Sequence, residues 1–113
     1  LINKFNTKIY ICKTIRNKNN FPMSSRNKNL TKSSLKNSEQ ISNLLFNFKK
    51  KIMKNFDNVK LLEYYQNRIN TLCDKIEYFE IRNPKNLSAK YSSKNFKIFI
   101  AYRQNKIRLI DNV

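Results

Sequence analysis

The sequence predicts an α+β fold: a helical hairpin with a small antiparallel β-hairpin or three-stranded sheet, and an extended basic N-terminal arm. Three observations carry this expectation. Two apolar stripes run at helical spacing between residues 38 and 81, and a strand-like alternation occupies residues 96–110. Residues 16–37 hold no acid and few apolar side chains. The 113 residues hold one domain. It divides into an N-terminal strand and basic extension, 1–37, and a small α+β core, 38–113.

The first element is a strand at residues 7–15. Ile9, Ile11 and Ile15 fall on one face, with Lys8, Tyr10, Cys12 and Thr14 on the other, and β-branched residues are enriched. Residues 16–37 follow no helical or strand period, and Pro22 interrupts their middle. They read as an extended basic arm, since a structureless loop of that length is uncommon inside a compact domain.

The first helix is expected at about 38–56. Ile41, Leu44, Leu45, Phe48, Ile52 and Phe56 form one continuous stripe, and Ser38 with Glu39, or Asn37 with Gln40, supplies its start. The second is expected at about 58–81. Leu62, Tyr65, Ile69, Leu72, Cys73 and Ile76 repeat at helical spacing, and Pro84 disfavours helix at Asn83. Each stripe needs a partner, so the helices should pack on each other or on a sheet. A hairpin at about 96–110 follows. Ile98, Ile100 and Tyr102 face one way, 103–106 turn with Asn105 able to take positive φ, and 107–110 return. The strand at 7–15 is the candidate third strand.

Composition excludes several chemistries. There is no His, so no His base, triad or His metal ligand. There is no Gly, so no glycine-rich phosphate loop. Two Cys make neither a four-ligand zinc site nor a disulfide framework. Cys73 lies on a helix stripe and reads as a small apolar residue. Glu77 and Glu80 read as local charge partners of Arg82 or Lys75. No catalytic residue, cofactor, metal or small-molecule substrate is therefore expected, and no apolar run is long enough to span a bilayer.

Charge points to a polyanion. The formal net charge is +17. Residues 1–56 hold 13 basic residues and one acid, Glu39, so the first half dominates. Arg16, Lys18, Arg26, Lys28, Lys32 and Lys36 are expected to neutralise RNA phosphates along the arm, against the plainer alternative of a solvated linker. Phe21 offers a ring on which an unpaired base could stack. Lys49, Lys50, Lys51 and Lys54 are expected to form a second RNA-binding surface along a phosphate backbone, ahead of the alternatives of a solvated helix face and, last, an anionic membrane.

Asn, Lys and Ile number 19, 18 and 13, while Ala occurs once and Pro twice. These are residues of A+T-rich codons, so the bias is genomic before it is structural. A short, strongly basic, Asn/Lys/Ile-rich chain with a small core and a long arm resembles an organelle-encoded ribosomal protein, of the protist mitochondrial type. The resemblance implies a monomer within a large assembly in the mitochondrial matrix, contacting ribosomal RNA and neighbouring ribosomal proteins. The alternatives are a peripheral accessory subunit of an organellar membrane (respiratory) complex and a free DNA-binding protein.

Overall fold

The structure, a computed structural model, describes residues 13–54, 59–92 and 94–113. Two helices, α1 (Lys32–Lys54) and α2 (Val59–Asn70), cover one face of a three-stranded antiparallel sheet. Its strands are β1 (Lys75–Arg82), β2 (Lys97–Gln104) and β3 (Ile107–Asn112), in that spatial order with β2 central. The fold is α+β, with two helices and a three-stranded sheet.

Helix α1 begins six residues before the expected start. Thr31 is its cap: the hydroxyl accepts from the Ser34 N–H at 3.1 Å, and the carbonyl accepts from Leu35 N–H at 2.8 Å. The stripe does not begin at Ile41. It runs through Ser34 and Ser38, both buried, before Ile41, Ser42, Leu45, Phe48 and Ile52. Small hydroxyl residues replace large apolar ones where this helix approaches the sheet, so apolar periodicity does not mark that half.

Helix α2 stops eleven residues short of the expected end. Thr71 folds over its last turn, donating Oγ1–H to the Arg68 carbonyl at 2.7 Å. Residues 75–82 are a strand, and this strand pairs with the hairpin. A β-bulge between Ile76 and Tyr78 explains the difference. It puts Ile76, Phe79 and Ile81 on one face at uneven spacing, which imitates a helical period. The strand expected at 7–15 falls mostly outside the described residues.

The core lies between helices and sheet. Ile98, Ile100 and Tyr102 of β2 are each at most 2% exposed, as the alternation requires. Phe48 stacks on Tyr65 with ring centroids 4.7 Å apart and meets Phe79 at 5.7 Å, joining both helices to β1. The β2–β3 turn uses Asn105 and Lys106, both at positive φ (52° and 65°), a two-residue turn whose twist suits the strands.

Residues 16–31 are not an extended arm. Asn17 Oδ1 accepts from the N–H groups of Asn19 and Phe21, and Asn17 N–H donates to the Phe21 carbonyl at 2.9 Å. Asn20 turns the chain at φ 66°, Arg16 bridges Pro22, and Glu39 of α1 holds the amides of Asn17 and Asn19. The result is a tight turn that inserts Phe21 into the core. Among the described residues, no helix is long and apolar enough to cross a membrane.

Candidate functional site

A cleft of about 260 Å³ opens between the segment after this turn and strand β3. One wall is Phe21, Pro22, Met23, Ser24, Arg26 and Asn27; the other is Arg108, Leu109, Ile110 and Asp111, with Tyr102 at the base. The first wall is shaped by a short 3-10 helix, Ser25–Asn29, whose cap is Ser24: its hydroxyl accepts from Arg26 N–H at 3.2 Å. Arg26 reaches across, Nη1 donating to the Arg108 carbonyl at 3.1 Å. Asn27 donates Nδ2–H to the Pro22 carbonyl at 3.1 Å, while its Oδ1 is buried without a hydrogen-bond partner.

Charge at the cleft is set by two guanidiniums and one carboxylate. Arg108 is hydrogen-bonded to Glu77, with Arg103 3.6 Å from the same carboxyl group. The Arg108 hydrogen bond holds the Glu77 carboxyl below the usual glutamate range, and Glu77 in turn raises Arg108. Asp111 is paired with Arg16. Arg26 has no carboxylate partner among the described ion pairs, and its exposed guanidinium keeps donors for an anion. Burial pushes the Tyr102 hydroxyl well up, so the base of the cleft stays neutral. No group of His, Cys, Asp or Glu suited to hold a metal occurs among the described residues.

The residues expected to bind RNA are scattered by this fold. Arg26 lines the cleft. Arg16 is taken up by Asp111, with its side chain only 15% exposed. Phe21, expected to stack on a base, is 2% exposed and belongs to the core. Lys18, Lys28, Lys32 and Lys36 stand at separate points of the turn, the 3-10 helix and α1. Lys49 lies 5.9 Å from the Phe96 ring and Lys51 5.6 Å from the Tyr65 ring, while Lys50 and Lys54 are exposed. Sequence reasoning missed Ser24, Asn27, Arg108 and Asp111. The available signal was the run Met23-Ser24-Ser25-Arg26-Asn27, where a Ser cap beside a cation presents hydroxyl and guanidinium together.

The fold is that of a segment of a biosynthetic ligase. Pantothenate synthetase from Thermus thermophilus superposes with a TM-score of 0.75 at 20% identity, over 88% of this chain and 37% of that one. Pantoate-beta-alanine ligase from Francisella tularensis, complexed with beta-gamma ATP and beta-alanine, superposes with a TM-score of 0.63 at 34% identity, over 96% of this chain and 33% of that one. The family model for pantoate-beta-alanine ligase matches residues 2–113, and the chain belongs to that family. The pantothenate synthetase of Francisella tularensis subsp. mediasiatica is 35% identical over 107 residues, 95% of this chain and 33% of its own length. That of Flavobacterium psychrophilum is 34% identical over 126 residues, 98% of this chain and 40% of its own length. The chain thus spans between a third and two-fifths of these relatives.

These findings overturn the ribosomal reading and both of its alternatives. The chain is not a ribosomal protein, and its relatives are enzymes rather than structural subunits. The expectation of no small-molecule substrate falls with it, because a relative is seen with a nucleotide and an amino acid.

Proposed function

We propose that this chain is part of a pantoate–β-alanine ligase, and that its cleft holds the phosphates of ATP during the joining of pantoate to β-alanine. Making an amide from a carboxylate and an amine requires the carboxylate oxygen to become a leaving group. A nucleoside triphosphate supplies that activation, and the protein must bind its polyphosphate in a fixed place.

The observation that carries the reading is Arg26, an exposed guanidinium without a carboxylate partner among the described ion pairs, set beside the Ser24 hydroxyl on a cleft whose far wall carries Arg108. Guanidinium forks match phosphate oxygens in geometry and charge. The apolar side chains of Pro22, Met23 and Leu109 line the same cleft, where reduced water contact strengthens such charge pairs.

The test is steady-state assay of amide formation from pantoate, β-alanine and ATP by the protein that carries this chain. Activity should depend on all three substrates, and Arg26→Gln should raise the KM for ATP about ten- to hundredfold, the scale of a lost charge-assisted contact to phosphate. Absence of ATP-dependent amide formation would sink the reading.

A further inference from the structure

The two walls of the cleft are joined at one end by a single side chain. Arg16 stands at the mouth of the 17–21 turn and grips Asp111 of β3 with both arms, Nη2 to Oδ1 at 2.8 Å and Nη1 to Oδ2 at 2.9 Å. The same nitrogens donate to the carbonyls of Asn20 at 3.0 Å and Asn112 at 3.1 Å. The guanidinium carbon also lies 5.0 Å from the centre of the Phe46 ring on α1. One planar group therefore fixes the turn, the strand and the helix relative to each other. Both side chains are largely buried, at 15% and 5% exposure, so water competes weakly for them.

We propose that Arg16 and Asp111 form a positioning pair, which sets the separation of the cleft's walls and thereby the placement of Arg26. Arg16 is not among the residues lining the cleft, whereas Asp111 is. The bidentate fork makes the spacing rigid, which a lysine at position 16 cannot reproduce. Without the clamp, the segment carrying Arg26 is tied to β3 by the exposed Arg26–Arg108 bond. The inference rests on the reading of the cleft as a phosphate site.

The experiment is kinetics of the intact ligase with Arg16→Lys and with Asp111→Glu, which keeps the charge pair but lengthens it. Asp111→Asn completes the set. The expected result is a rise in the KM for ATP of about ten- to hundredfold, the effect of misplacing a binding group by about 1 Å, with the KM for β-alanine unchanged. An unchanged KM for ATP overturns the proposal. So does a common loss of kcat, both affinities and melting temperature, which marks a general buttress. Arg26→Gln separates the two readings. If it leaves the KM for ATP alone, the phosphate site itself is wrong. If it raises that KM and the Arg16 and Asp111 variants do not, only the positioning pair is wrong.

Discussion

Gln104, at the end of the central strand, donates its amide to the carbonyl of Leu72 at 2.7 Å. The same nitrogen lies 3.4 Å from the Ser38 hydroxyl, and Gln104 is 3% exposed. This one side chain satisfies the carbonyl that follows α2 and links it to α1. Buried polar groups are costly when left without partners. Gln104→Leu should therefore destabilise the fold by about 1–3 kcal/mol, through the unsatisfied Leu72 carbonyl rather than through lost volume. Urea unfolding at neutral pH reads this, and a change under about 0.5 kcal/mol would show that water replaces the amide.

Phe48 is the point where both helices meet the sheet, stacked on Tyr65 and tilted against Phe79. Its truncation to Ala leaves a cavity that three elements cannot all close. The expected loss is about 3–5 kcal/mol, a large part of the stability of a small domain. Phe48→Leu should cost clearly less, and urea unfolding compares the two. Equal losses would mean that ring geometry, not volume, is what matters.

Glu77 is held below the usual glutamate range, chiefly by its hydrogen bond to Arg108. The sign follows from that direction. The folded protein keeps Glu77 ionised at a pH where the unfolded chain already takes up a proton, so this contribution is present at neutral pH and lost on acidification below the ordinary glutamate value. Glu77→Gln has no such proton to bind. The stability gap between the two proteins should be present at pH 7 and shrink on acidification to about pH 3, and added salt should shrink it at neutral pH. A gap independent of both pH and salt would mean the pair contributes packing alone.

Much of the secondary structure is legible in the sequence. The stripe Ile41, Leu45, Phe48 and Ile52 marks one helix, Tyr65 and Ile69 the other, and the alternation Ile98, Ile100, Tyr102 marks β2. What misleads is local. The bulge at Glu77 disguises a strand as a helical repeat, and Ser34, Ser38 and Ser42 hide the first turns of α1. The turn that buries Phe21 depends on Asn17 bonding to its own neighbours, which a run of asparagines in a biased composition conceals.

Function is obscured for a related reason. Lysine is favoured by the same codon bias as asparagine and isoleucine, so the +17 charge imitates a ligand signal when much of it is a solvated surface. The absence of Gly and His excludes particular active-site designs from this stretch. It does not exclude the phosphate-binding role proposed for Arg26 and Ser24, because the relatives are about three times as long as this chain and their sites draw on more than the stretch it matches.

A chain with no Gly still has to turn sharply, and it does so at Asn20, Leu87, Asn105 and Lys106, all at positive φ. A left-handed conformation costs an ordinary residue about 1–2 kcal/mol. Leu87 and Lys106 bear that strain without the side-chain compensation open to asparagine. The genome's base composition is thus written into the protein as conformational tension at its corners. Leu87 and Lys106 do not line the cleft, so glycine at either would release that tension and harden the scaffold while leaving its chemistry alone.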